Sequence, residues 1–349
     1  MRLENIGSLN KTLLVLGPPS KYRGGKLREV NLTKNGMKAW AFLDHQIIVQ
    51  AVVKNLVDNL HKKGEKLPEM APTPLSCKYR LENGEKDASY HHSIGVLRWI
   101  VELGCVDIDV EVSMMSSHLP CTASGVGHLH ELYHLPHLCL SQGSANSETL
   151  FDPTPIQVDM TSFPEEDWSL LPYYKEKFTE ELLAHMLKPL GQSMTMRVFV
   201  DSDHAGDMLT RRSRTGFIVF LNNAPISWSS EKQNSCETGT FGSEFVAMKQ
   251  ACEYIRGLRY KLRMMGITVD EPAFIFGDNQ SVLANTTNPT TTLKKRSNAI
   301  AYHFVREGVA HDEWRTAYIN TNDNIADMLT KPLANPEWQK FVRMVLHRI

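Results

Sequence analysis

Met196-Arg-Val-Phe-Val200 runs straight into Asp201, and this stretch decides how the chain is read. β-Branched and aromatic residues in a short run suit a strand, and here the strand ends on a carboxylate. Downstream, Thr215 to Leu221 is a second apolar run, Asn222-Asn223 a turn, and Pro225-Ile-Ser-Trp228 a returning strand. From Phe241 onward, Phe245, Met248, Cys252, Ile255, Leu258, Leu262 and Met265 recur at spacings of three and four, which predicts a long helix that Gly266 stops. Ala273-Phe-Ile-Phe276 predicts a fourth strand entering Gly277-Asp278. Thr316-Ala-Tyr-Ile319 predicts a fifth, followed by a last helix over Ile325 to Thr330. The order βββαβαβα belongs to the α/β class, and it predicts a five-stranded mixed sheet flanked by helices, with Asp201 and Asp278 on adjacent parallel strands.

Four carboxylates fall at defined places in that order: Asp201 and Asp278 at strand ends, Glu244 in the first turn of the long helix, and Asp327 in the last helix. Adjacent parallel strands bring the first two to one sheet edge, where the helices can add the others. Acids gathered in one pocket repel each other unless a cation is present, and hard oxygen ligands select Mg²⁺ or Mn²⁺. Spacing alone leaves open that these are surface acids, N-caps or turn residues.

Seven blocks occur in succession: Val200-Asp-Ser-Asp-His-Ala-Gly-Asp207, Arg211-Arg-Ser-Arg-Thr-Gly216, Ile226-Ser-Trp-Ser-Ser-Glu-Lys-Gln233, Ser243-Glu-Phe-Val-Ala247, Gly277-Asp-Asn-Gln-Ser281, Tyr302-His-Phe-Val-Arg-Glu307 and Ala326-Asp-Met-Leu-Thr-Lys-Pro-Leu333. In this order they resemble the ribonuclease H domain of copia-type retrotransposon polyproteins, over residues 196–334. The resemblance implies a ribonuclease-H-like fold and a metal-dependent nuclease acting on the RNA strand of an RNA–DNA hybrid. It also implies two Mg²⁺ (or Mn²⁺) ions held by Asp201, Glu244, Asp278 and Asp327. In that reading Asp201 bridges both ions, Asp327 completes the ion that holds the attacking water, and Glu244 and Asp278 hold the ion on the leaving-group side. Gln280 matches a glutamine that reads the minor groove, where 2′-hydroxyls mark RNA; a polar residue at a helix start is the other account. Where many ribonucleases H place a loop histidine before the last aspartate, Tyr318 to Asp327 offers Asn322, leaving His303 and His311 as candidates for product release.

Whole-chain charge is uninformative, with a formal net charge of -1. From 196 to 349 there are 19 Lys and Arg against 16 Asp and Glu, so assigning four acids to metal leaves a basic surface. Arg256, Arg259, Lys261 and Arg263 share one helix, and Lys294, Lys295 and Arg296 form a second patch expected to contact phosphates.

Upstream, Tyr90-His-His-Ser-Ile-Gly-Val-Leu-Arg-Trp99 and Asp107-Ile-Asp-Val-Glu-Val-Ser113 resemble the segment that follows the polymerase palm in such polyproteins. No adjacent Asp-Asp pair occurs, so the chain is not expected to polymerise. The expected division is a mainly helical thumb/connection-like remnant over 1–140, a solvated Ser-, Pro- and Glu-rich connector over 141–195, and the ribonuclease H domain over 196–349. Asp44 to His61 and Tyr90 to Leu103 have helical spacing, while Pro136 interrupts a helix the family would continue, as in a decayed copy. Two other readings stand beside the nuclease. One is a degenerate, non-catalytic fragment that binds nucleic acid. The other is a zinc metalloprotease, because His130-Glu-Leu-Tyr-His134 matches H-E-x-x-H. Six dispersed cysteines and no long apolar run predict an intracellular protein without a membrane span, in the cytoplasm, a virus-like particle or the nucleus. A separate reverse transcriptase or capsid component is an expected partner.

Overall fold

A computed structural model describes residues 21–22, 25–31, 38–43, 88–117, 147–164, 166–174, 187–189, 191–293 and 296–348, with positions 58 and 185 besides. In chain order the strands are β1 (Lys21–Tyr22), β2 (Gly25–Asn31), β3 (Lys38–Leu43), β4 (Ser147–Phe151), β5 (Met196–Asp203), β6 (Arg214–Leu221), β7 (Ala224–Lys232), β8 (Ala273–Gly277), β9 (Trp314–Tyr318) and β10 (Leu346–Arg348). The α-helices are α1 (Ala88–Leu103), α2 (Asp109–Ser116), α3 (Thr240–Met264), α4 (Gln280–Thr287), α5 (Ala299–Ala310) and α6 (Asn335–Val345).

The C-terminal sheet has the order β7-β6-β5-β8-β9. β5, β6 and β7 form an antiparallel meander, and β8 and β9 join parallel to β5. This is the five-stranded mixed sheet that the sequence predicts. The β6–β7 turn is tight because Asn222 adopts a left-handed backbone at φ 53°. Its side chain also ties down the neighbourhood, accepting from Thr195 N at 3.0 Å and donating to Pro153 O at 2.8 Å.

Strand alternation places two apolar faces on this sheet. One packs α3: Phe245, Met248, Ala251, Cys252 and Ile255 are buried in one core with Met196, Val198, Val200 and Ile275. The helix stops as predicted, with Gly266 at φ 77°. The opposite face carries Ile218 and Phe220, packed with Ile325, Met328, Leu329 and the α6 residues Trp338, Phe341, Val342 and Val345. The expected last helix over 325–330 is instead a 3₁₀ turn, Ile325–Leu329. Buried Asn324 caps that turn, accepting from Ala326 N, and Pro332 lies just beyond, where a longer helix would need its N–H.

A second sheet has the order β1-β2-β3-β4-β10, so the extreme C-terminal strand pairs with Ser147–Phe151 rather than with the sheet of its own half. Among the described residues of the first 140, the mainly helical expectation holds for 88–116, whereas 25–43 contains an antiparallel strand pair. Helix spacing over Asp44–His61 and the interruption at Pro136 lie outside the described residues, apart from a helical Asp58. The Ser- and Glu-rich stretch before β5 is not a free connector where it is described. Phe163 is buried against Phe274 and Phe276 with ring centroids 5.0 and 5.4 Å away, while Asp159 and Asp167 spend their carboxylates capping 3₁₀ turns. Its polar residues therefore build turns that hold a few apolar residues against the sheet.

Helix α2 meets the meander through buried charge. Arg214, on β6, donates to Ser113 Oγ at 2.5 Å, and Ser113 Oγ in turn donates to the Ser230 carbonyl. Burial pushes the Asp109 carboxyl up to about 7 despite the pull of Arg214, and pushes Glu111 well above the usual carboxylate range. Among the described residues no helix is long and apolar enough to cross a membrane.

Candidate active site

The β5–β8 register pairs Arg197 with Phe274 and Phe199 with Phe276. The same offset carried two residues further sets Asp201 across from Asp278, at the carboxyl ends of both strands. Helix α3 begins at Thr240, four residues before Glu244, so Glu244 lies just past the first turn in which the sequence expects it, and it reaches into the same space. One carboxylate oxygen from each of Asp201, Glu244 and Asp278 lies within 4.8 Å of the other two. The strand ends and the start of α3 thus bring together three of the four expected acids.

Asp327 stands beside them on the 3₁₀ turn. Asn324 Nδ2 donates to the Val200 carbonyl at 3.0 Å, fixing the turn against β5 one residue before Asp201. Thr330 Oγ1 donates to Asp201 Oδ2 at 2.5 Å, and Lys331 Nζ contacts Asp327 Oδ2 at 2.9 Å. The other Asp327 oxygen, Oδ1, is buried without a hydrogen-bond partner. On the β8 side Thr321 Oγ1 donates to Asp278 Oδ2 at 2.8 Å.

Electrostatics follow from this crowding. Burial, with the charges of Asp201 and Asp278, pushes Glu244 well above the usual carboxylate range, and Ser202 beside it opposes this only in part. Burial and the Asp201 charge raise Asp327 to about 7 although Lys331 pulls the other way. Asp278 is raised by the same two causes. These acids are costly to ionise together, as expected of a site that needs a cation. The donor set is all oxygen, with one buried carboxylate oxygen lacking a partner, and so fits Mg²⁺ or Mn²⁺.

Other expected residues distribute differently. Gln280 is exposed at the first position of α4, where Asn279 is the N-cap. Arg296 is exposed, and Lys294 and Lys295 lie outside the described residues, as do His130, Glu131 and His134. The α3 basic row is largely a structural feature. Arg256 makes a bidentate pair with Glu313 at 2.8 and 2.9 Å over Trp314, and buried Arg259 donates to the Glu271 carbonyl at 2.7 Å. Both histidines engage Tyr174, His303 through the phenol at 2.9 Å and His311 through the carbonyl at 3.1 Å. Asn322 sits in an exposed 3₁₀ turn whose carbonyl accepts from Lys340.

Thr321, Asn324, Thr330 and Lys331 are the site residues that sequence reasoning missed. Asn324 carried a signal, as an Asn at a helix start. Thr330 and Lys331 lie inside the last of the seven blocks, but nothing in their spacing says that they face Asp201 and Asp327.

No family model matches the chain. Curated relatives are retrovirus-related Pol polyproteins of copia-type transposons. The one from transposon RE2 of Arabidopsis thaliana is 31% identical over 155 residues, 44% of this chain and 11% of that polyprotein. The one from transposon TNT 1-94 of Nicotiana tabacum is 29% identical over 141 residues, 40% of this chain and 10% of that polyprotein. The chain therefore spans about a tenth of the length of the curated relatives it matches. Among solved structures, ribonuclease H1 from Halobacterium salinarum is 14% identical with a TM-score of 0.31, covering 39% of this chain and 94% of that one. LC11-RNase H1 in complex with an RNA/DNA hybrid is 15% identical with a TM-score of 0.32, covering 39% and 94%. The sheet order, not these likenesses, carries the fold.

Proposed function

We propose that residues 196–349 are the ribonuclease H domain of a copia-type retrotransposon polyprotein, hydrolysing the RNA strand of an RNA–DNA hybrid. The observation that carries this reading is the convergence of Asp201, Glu244 and Asp278 within 4.8 Å, with Asp327 buried beside them. Similarity to transposon Pol polyproteins over about half the chain supports it. Asp201, Glu244, Asp278 and Asp327 would hold divalent metal, and bound Mg²⁺ or Mn²⁺ supplies an activated water and charge stabilisation of the leaving 3′-oxygen. The chain's own residues keep the acids in place. Thr330 orients Asp201, Thr321 orients Asp278, and Asn324 locks the Asp327 turn to β5. In this reading exposed Gln280 and Arg296 would meet the hybrid's sugars and phosphates, and Lys294 and Lys295, which lie outside the described residues, would add phosphate contacts. A separate reverse transcriptase or capsid component, met in the cytoplasm, a virus-like particle or the nucleus, belongs to the same proposal.

The test follows labelled hybrid, duplex DNA and single-stranded RNA with Mg²⁺ or Mn²⁺ and with EDTA. Cleavage of the RNA in hybrid alone, abolished by chelation and by Asp201→Asn, is the expected result. Cleavage that survives chelation or the substitution excludes this site. A parent protein that binds hybrid without cutting it is the degenerate fragment.

A further inference from the structure

β7 is an edge strand of the C-terminal sheet, and a cavity of about 400 Å³ runs along it, between the strand and the helices α1 and α2. Six consecutive residues, Ile226 to Glu231, line that cavity. Side chains of a strand alternate between its faces, so an unbroken run lines one space only where the backbone edge itself faces it. The Ser230 carbonyl accepts from Ser113 Oγ and so points away from β6, and alternation turns the N–H and C=O of Trp228 the same way. Among the described residues nothing pairs with Trp228 on that side. The open edge ends at Ile226, an extra residue between Ser227, opposite Val219, and Pro225, opposite Phe220.

The lining of this groove is acidic. Glu102 of α1, Asp109 of α2 and Glu231 of β7 set three carboxylates against Arg98, and counting Arg214, which is buried behind Ser113, still leaves an excess of acid. Asp109 has no hydrogen-bond partner among the described residues. Burial raises its carboxyl to about 7 against the pull of Arg214 and Arg98, and the charge of Glu231 adds to the rise. From the open edge and these acids we infer that the groove docks an extended segment of a partner protein. That segment adds as a sixth strand beside β7, with lysine or arginine side chains facing Glu102, Asp109 and Glu231. Backbone pairing supplies affinity, and alternate side chains supply specificity. The same carboxylates repel a nucleic-acid strand. None of the four expected metal ligands lines the groove, so the inference stands independently of the nuclease reading.

The experiment uses the full-length chain and a fluorescent peptide of about nine residues alternating valine with lysine, long enough at about 3.3 Å per residue to span Ile226 to Glu231. Anisotropy is followed together with backbone hydrogen exchange in β7. Saturable binding with slowed exchange at Trp228 is expected, about tenfold weaker for a valine–glutamate peptide. Binding should be lost when alternate amides of the valine–lysine peptide are N-methylated, which keeps the charge and removes the pairing. Glu231→Lys should also weaken it about tenfold. Glu231 is exposed, and a melt reports whether the variant folds; if it does not, the peptide comparison decides the matter. Equal binding by the N-methylated peptide leaves only charge attraction and overturns the inference. Absence of binding, or protection confined to other elements, overturns it as well. So does a chain that self-associates in sedimentation with Trp228 protected before any peptide is added, because the occupant is then a second copy.

Discussion

Gly216 lies directly across the antiparallel ladder from Asp201. A β-carbon at Gly216 would come within 2.7 Å of Thr330 Cγ2, 2.8 Å of Leu329 Cβ and 3.0 Å of the Ala326 carbonyl. The strand beside the central aspartate is therefore kept bare so that the turn carrying Asp327 and Thr330 can lie against it. Gly216→Ala should push that turn away, at a cost of about 1–3 kcal/mol typical of an overpacked core. It should also weaken Mn²⁺ binding, because the Thr330 bond to Asp201 lengthens. Thermal melts and Mn²⁺ titration of the variant check both effects. Unchanged values would show that the turn is free to shift.

Stability without metal should fall as pH rises. Glu244, Asp278 and Asp327 all have folded-state affinities for protons above those of ordinary carboxyls, with Asp327 at about 7. The folded chain therefore binds more protons than the unfolded one from about pH 4 up through the Asp327 value of about 7, and the penalty, absent below that range, grows across it. In EDTA the protein should melt roughly 3–8 °C higher near pH 5.5 than near pH 8. Mg²⁺ should raise the melting temperature mainly at the upper end, because it binds the ionised acids and competes with protons. A metal-free melting temperature that climbs between those two pH values would contradict the crowding of these acids.

The division of the chain near residue 195 can be tested at Phe163. This residue is 3% exposed and packs on Phe274, Ala317 and Phe276 from a segment upstream of that boundary. Phe163→Ala should cost about 3–5 kcal/mol, while the Mn²⁺ count stays at the parent value. A fragment starting at residue 196 should show the same loss and expose the Phe274–Phe276 face. If that fragment is as stable as the full chain, the packed segment is dispensable and the simpler boundary holds.

The seven blocks and the alternation of apolar residues make the C-terminal fold legible, because a meander followed by parallel strands leaves a period-two pattern and strand-end residues that local sequence records. Asp201 and Asp278 end runs of apolar residues, and Glu244 lies near the start of an amphipathic helix, so the places of three site acids near element ends can be read from the chain itself. The upstream half is less legible. β4 pairs with β10 across nearly two hundred positions, and the α1–α2 segment is fastened by Arg214 to a strand about a hundred residues away. Neither relation leaves a local trace.

By itself, then, the sequence determined which residues are acids at element ends and in what order the elements come, since both follow from short-range spacing. Tertiary structure alone decided that Asp327 sits on a 3₁₀ turn rather than a helix, that Arg256 and Arg259 serve the fold, and that Lys331 faces the acids. Those outcomes depend on which backbones approach closely, at Gly216 and Val200, and on which charges share a buried space, and neither is written in the spacing along one chain.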